Sequence, residues 1–257
     1  MELLKQNQLT TYKIRVRGES YSYEDTKIEN WTKEQILKSR LARHLSSVFQ
    51  NDKYKNYSFD YYFKVGNKSM EIVSNEIKDW DFKTPIGISI ISKQNGIGKT
   101  GLAICLYIKF VKDFFEKKFN EDIEMIDEDL KQSTMNHQLS EPKKYCEFLS
   151  AKNLDMQIRM SYNDKYGLNE QEILDSYCKK DFLVLDDIFS SSDNDFSRRN
   201  ILYILDERLE WKNKATVVTS NYDFEALKKI DSRIASRMNL KNGFYEIVSE
   251  QTDIRSL

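Results

Sequence analysis

One stretch constrains this chain more than any other. Ile88-Ser89-Ile90-Ile91 is a β-branched run of the kind that forms strands, and Ser92-Lys93-Gln94-Asn95-Gly96-Ile97-Gly98 follows as a loop holding two glycines. Lys99-Thr100 comes next, and Gly101-Leu102-Ala103-Ile104-Cys105-Leu106 continues as an apolar helix. Strand, glycine loop, Lys-Thr and helix in that order describe a phosphate-binding P-loop, which commits the chain to an α/β fold. The glycines let backbone N–H groups of Asn95 to Gly101 close round an anion, and the helix N-terminus adds partial positive charge. Lys99 is expected to reach the β- and γ-phosphates of ATP, or the β-phosphate of ADP, and the Thr100 hydroxyl to hold Mg²⁺. One position departs from G-x-x-x-x-G-K-[ST]: Lys93 stands where the first glycine belongs. The plainer alternative is a glycine turn before an ordinary helix.

A second stretch gives the first its meaning. Asp181-Phe182-Leu183-Val184-Leu185-Asp186-Asp187-Ile188 is a strand with no polar alternation, which belongs inside a parallel sheet covered on both faces. It ends in two adjacent carboxylates, at the end of the strand where open α/β sheets place ligands. Burying an acidic pair is costly unless cations neutralise it. Downstream of a P-loop it reads as a Walker B element, with Asp186 on the Mg²⁺ shell and Asp187 polarising the attacking water. Ala215-Thr216-Val217-Val218-Thr219-Ser220-Asn221 is another buried strand, and Asn221 at its tip is placed to bond the attacking water or the γ-phosphate; the alternative is a turn-forming asparagine. In Asp231-Ser232-Arg233-Ile234-Ala235-Ser236-Arg237-Met238, Arg233 and Arg237 stand four apart on one helix face, suited to compensating charge on a neighbouring subunit's γ-phosphate.

Length and composition set the outer limits. With 257 residues there is room for one substantial α/β domain and a small appendage. A formal net charge of −1 gives no global basic field, so nucleic-acid contact needs a local patch. Cys105, Cys146 and Cys178 are scattered without a C-x-x-C pair, and His44 and His137 are the two histidines, so neither zinc nor a disulfide framework is expected. Cys105 and Cys146 are expected as core thiols. No apolar run reaches the roughly 18 residues of a membrane span, and the N-terminus lacks a signal-peptide core. A reduced cytoplasmic protein is the expectation.

Along the chain, residues 1–56 form an N-terminal region. Thr10 to Val16 alternates like a strand, and Thr32 to Phe49 reads as an amphipathic helix. Thr32 and Gln35 make a capping box there, and Ile36, Leu41, Leu45, Val48 and Phe49 form an apolar stripe. Lys33, Lys38, Arg40 and Arg43 make a solvated face, or the helix docks on a partner with its apolar stripe buried in that protein. An aromatic run from Tyr57 into Gly66-Asn67 precedes a helix from Ser69 to Trp80; it borders an adenine pocket or supplies core aromatics. The P-loop helix is expected to reach about Lys118, with Leu102, Leu106, Phe110 and Phe114 on one face. Residues 119–144 read as a polar, partly helical insertion. Then follow a strand at Tyr145–Ser150, helices at Ala151–Tyr162 and Glu170–Tyr177, a helix at Asn194–Trp211 with Ile201, Leu202, Leu205 and Leu209 inward, and a last strand at Gly243–Val248.

The motifs G-I-G-K-T-G-L-A, F-L-V-L-D-D-I, T-V-V-T-S-N-Y and R-I-A-S-R-M, in that order, resemble the AAA+ ATPases, and among them the DnaC/DnaI-type helicase loaders with their IstB-like relatives. The resemblance covers residues 57–257. It implies an α/β P-loop core with a five-stranded parallel sheet ordered 5-1-4-3-2 and no helical lid domain. It further implies Lys99, Asp186, Asp187, Asn221, Arg233 and Arg237 as catalytic residues, with Asn221 as sensor and Arg233 as the arginine finger of a homo-oligomer. Arg255 aligns loosely with a late arginine of these loaders. Implied partners are a replicative hexameric DNA helicase and single-stranded DNA, with slow, Mg²⁺-dependent ATP hydrolysis stimulated by assembly. Departures are Lys93 and the absence of the zinc module that DnaI-type loaders often carry. The alternatives are an IstB-like transposition regulator binding duplex DNA and a transposase, a degenerate P-loop scaffold, and a metabolic P-loop kinase. The last lacks an evident substrate lid or acceptor base.

Overall fold

The structure is a computed structural model that describes residues 33–49, 54, 57–60, 68–129, 142–163, 167–189, 195–212, 214–240 and 242–246. The described elements are α1 (Lys33–Val48), α2 (Lys68–Ile77), β1 (Gly87–Ile91), α3 (Lys99–Asp129), β2 (Cys146–Ser150), α4 (Ala151–Ser161), α5 (Glu170–Lys179), β3 (Phe182–Ile188), α6 (Asp195–Leu205), β4 (Ala215–Ser220), α7 (Phe224–Ile230), α8 (Ser232–Leu240) and β5 (Asn242–Glu246). The five strands make one sheet ordered β2-β3-β4-β1-β5, every pair parallel. Read from the other edge this is 5-1-4-3-2. The run Thr10–Val16, the Thr32 cap and Arg255 lie outside the described residues, as do 130–141 and 247–257.

Alternation along each strand divides the apolar residues between two cores. Ile88, Ile90, Phe182, Val184 and Val217 face one layer, built with α1, α2 and α3. Ile91, Leu183, Leu185, Ile188 and Val218 face the other, built with α4 to α8. The sheet is therefore the middle of three layers, which is why its strands read as unbroken apolar runs. The first layer is aromatic: Phe182 stacks on Phe110 with ring centroids 4.8 Å apart, and Phe82 meets both edge-on. Tyr107 and Phe49 extend the cluster to α1.

Several boundaries differ from expectation. α3 runs on to Asp129, so the first part of the expected insertion is helix. Its first turns, through Ile108, are buried all round rather than on one face, because the sheet lies beneath and α1 packs on top. Phe110 and Phe114 are only partly buried at its edge. On α1, the described apolar residues Leu37, Leu41, Leu45, Val48 and Phe49 pack into this chain's own core. The expected helix Asn194–Trp211 is α6 followed by a π-helical turn, Asp206–Trp211. Ile204 lies inward there, whereas Leu202 is only partly buried.

That turn presents Arg208, which is fully buried. Its guanidinium donates to the carbonyls of Tyr177 (2.8 Å), Lys180 (2.7 Å) and Ala215 (2.6 Å) and to the Thr216 hydroxyl (2.9 Å). It thereby closes the C-terminal end of α5 onto the start of β4, where helix carbonyls lack intrahelical partners. Burial lowers its pKa to about 9, still high enough to keep the charge at neutral pH. Arg208→Met should cost about 3–5 kcal/mol in urea denaturation, since the carbonyls lose their donors together.

A second buried polar contact ties α1 to α3. His44 Nε2 lies 2.9 Å from the Tyr107 hydroxyl, and burial lowers the His44 pKa to about 4. The folded state thus holds His44 neutral while the unfolded chain protonates it below about 6.5. The stability this contributes is complete above pH 6.5 and is lost as pH falls toward 4, by up to about 3 kcal/mol. Comparing stability–pH profiles of the parent and His44→Phe checks this; the slope in that window should shrink in the variant.

Candidate functional site

The C-terminal ends of β1, β3 and β4 and the N-terminus of α3 meet at one place. Ser92 leaves β1 with its N–H on Ser220 O (3.2 Å), pinning the start of the loop to the tip of β4. Gly96 and Gly98 adopt φ of 74° and 106°, left-handed backbone that favours glycine. Lys93 has no positive φ, so the position of the missing motif glycine does not require one. The Lys93 side chain is 75% exposed and forms an ion pair with Asp223 beyond β4.

Inside the loop, Lys99 is buried, and its ammonium donates to the carbonyls of Gln94 (2.7 Å) and Ser92 (3.3 Å). The Thr100 hydroxyl donates to the Asp186 carboxylate at 3.0 Å. From the other side Thr219 donates to the same carboxylate at 2.7 Å. Asp186 is thus a buried acid satisfied by two hydroxyls; burial raises its pKa, and these hydrogen bonds oppose the rise. Thr100 and Asp186 supply adjacent hard oxygen ligands, the donor set Mg²⁺ takes when substrate phosphates and water complete its shell.

The second acid is aimed by the backbone. Between Leu185 and Ile188 the β3–β4 register gains one residue on β3, a bulge. Within it Asp187 has φ 58°, its N–H donates to the Thr219 hydroxyl (2.8 Å), and its carboxylate accepts from Asn221 Nδ2 (2.5 Å). Phe189, just beyond, also has positive φ at 68°. Strain of this kind costs about 1–3 kcal/mol per residue and clusters at functional sites. Within the bulge Asp187 is half-buried and bonded to Asn221, while Asp186 stays buried.

The structure therefore brings together Lys99, Thr100, Asp186, Asp187 and Asn221, linked by hydrogen bonds or loop geometry. Arg233 and Arg237 make none of these contacts. The exposed Arg233 pairs bidentately with the buried Asp231 (2.7 and 3.1 Å), and Arg237 donates to the Asp206 carboxylate. Arg233 lines a cleft of about 630 Å³ together with Arg198, Arg199, Lys228 and Lys229. The residue that sequence reasoning missed is Thr219. Its signal was a hydroxyl interrupting an apolar strand two places before Asn221. In the aromatic lead, the described Tyr57 and Phe59 pack against the core.

With Lys93 outside the phosphate cradle, Lys93→Gly should change ADP affinity by less than about tenfold, or 1.4 kcal/mol, in a fluorescence titration.

No protein-family profile matches the sequence, and no curated protein matches it. Solved structures do. The DnaC helicase loader superposes with a TM-score of 0.53 at 19% identity, over 77% of this chain and 100% of that one. AMPPCP-bound DnaA from Aquifex aeolicus gives 0.51 at 17% identity, over 80% of this chain and 53% of that one. The replication initiator DnaA bound to AMPPCP and single-stranded DNA gives 0.51 at 18%, over 77% and 51%. The chain spans the whole of the loader and about half of each initiator. The likeness is one of fold: the chain has an α/β architecture with a five-stranded parallel sheet, like that of a helicase loader and of replication initiators.

Proposed function

We propose that this chain is an ATP-dependent helicase loader that engages a replicative hexameric DNA helicase and single-stranded DNA when replication begins, in the cytoplasm. The observation that carries the proposal is the Asp186 carboxylate between Thr100 and Thr219, beside a strained bulge that turns Asp187 toward Asn221. An α/β domain that needed only stability would hold neither the buried acid nor the bulge.

In this reading Asn95, Gly96, Ile97, Gly98 and Gly101 wrap the phosphates with backbone N–H groups. Lys99 exchanges the carbonyls of Ser92 and Gln94 for phosphate oxygens, a neutral partner for a charged one, which strengthens its hydrogen bonds. Thr100 and Asp186 hold Mg²⁺, which when bound neutralises charge on the β- and γ-phosphates. Asp187 accepts a proton-bearing contact from the attacking water, and Asn221 holds both in line. Arg233 meets the γ-phosphate of a neighbouring copy in a head-to-tail homo-oligomer, with Arg237 bracing it through the Arg233 carbonyl (3.1 Å). The domain division at residue 57 and a docking role for α1 belong to the same proposal; with its described apolar residues packed inside, α1 has its polar face left for a helicase.

ATP turnover should fall about 100-fold or more in Lys99→Ala and in Asp186→Asn, the scale for losing one preorganised charge contact. Mixing inactive Arg233→Ala with inactive Asp186→Asn should restore activity, because one kind of interface then pairs an intact Asp186 with an intact Arg233. A pull-down from host lysate with ATP and with ADP should retain a hexameric helicase in a nucleotide-dependent way. Retention of a transposase, with preference for duplex DNA, would redirect the reading to an IstB-like regulator. Turnover that survives both substitutions, or no ATP binding at all, would remove it.

A further inference from the structure

The end of β4 leads into two short helices, and each begins with an aspartate doing two jobs. Asp223 caps α7 with one carboxylate oxygen, accepting Ala226 N–H at 2.8 Å, and binds Lys93 with the other. Asp231 caps α8, accepting the N–H groups of Arg233 (2.9 Å) and Ile234 (3.4 Å), and binds the Arg233 guanidinium. Between them Asp231 N–H donates to Leu227 O at 2.9 Å, so α7 runs into α8 through a hydrogen bond. α8 is in turn laid on the sheet, with Ser89 Oγ of β1 donating to Met238 O at 3.2 Å. A continuous path therefore runs from the first residue of the P-loop to Arg233: Lys93, Asp223, α7, Asp231, Arg233.

Lys93 is the link in this path that a motif-conforming P-loop does not have. A glycine there has no side chain to reach Asp223. The ammonium is held by Asp223, and Glu246 at the end of β5 adds a weaker pull through space.

We propose that Lys93 is a positioning residue that clamps the P-loop to the α7–α8 unit, so that closure of the loop round a nucleotide is transmitted to the helix bearing Arg233. The proposal rests on the nucleotide-binding reading of the loop. It assigns Lys93 no contact with phosphate. Its reach is set by the physics of the link: one solvent-exposed ion pair carries a coupling of about threefold, not a hundredfold.

Hydrogen exchange of the full chain with and without ADP tests it, using Lys93→Met, Asp223→Asn and the double variant. Asparagine keeps the cap of α7 and removes only the charge. In the parent, ADP should slow exchange in both the P-loop and α7–α8. In either single variant the loop protection should persist while the ADP-dependent protection of α7–α8 drops by about threefold. The double variant should match the singles, because one link is lost once. Undiminished α7–α8 protection in Lys93→Met, or losses that add in the double variant, would overturn the clamp. An absence of loop protection in the parent would instead remove the nucleotide reading, and the clamp with it. A shift in melting temperature without ADP, equal to that with ADP, would mark a merely structural pair and also overturn it.

Discussion

Everything at the tip of the sheet is arranged round one buried carboxylate. Asp186 lies where desolvation disfavours its charge, and within hydrogen-bond reach it has two hydroxyls rather than a cation. Lys99 acts on it only through space. Three elements must be in register to supply those hydroxyls: Thr100 from the first turn of α3, Thr219 from β4, and Asp186 itself from β3. The parallel pairing of β3 with β4 sets two of them, and the P-loop sets the third. A site short of positive charge is suited to receive a divalent cation, because the acid gains the neutraliser its burial otherwise denies it.

The left-handed residues at the end of β3 have to be held by something stiffer than they are. Asp187 and Phe189 carry φ values that L side chains resist, and neither is glycine. What holds them is the packing on both sides of the sheet. Phe182, at the other end of the same strand, is fully buried in the aromatic layer, and Arg208 fastens α5 to the start of β4 from the opposite layer. Rigidity is concentrated at the N-terminal ends of the strands and strain at their C-terminal ends, the side on which open α/β sheets place ligands.

How much of this was legible in the sequence depends on whether a residue acts within its own segment. The strand–loop–helix at Ile88–Leu106 and the apolar run ending in Asp186-Asp187 are local patterns, and the structure has both. Sheet order followed from the family resemblance of the motifs, not from any periodicity. Arg208 was invisible because its partners, Tyr177, Lys180 and Ala215, come from other elements; in sequence it is one more charge on a helix. Thr219 hid for the same reason, since a threonine in a strand is ordinary until the acid it serves is across the ladder. α3 is longer than expected because polar residues after Lys118 break the apolar pattern without breaking the helix.

The tip of β4 is where these constraints converge. The three consecutive residues beyond Val218 hold two elements: Thr219 and Asn221 bond the acids of β3, and the Ser220 carbonyl accepts the N–H of Ser92 at the start of the P-loop. Two residues later Asp223 takes Lys93 and starts α7. A displacement of this one strand end would be felt at once by the phosphate loop, the paired acids and the helix leading to Arg233. Under the proposed function, the sensing role given to Asn221 extends to the segment from Thr219 to Asp223, in which Asn221 is one contact among four.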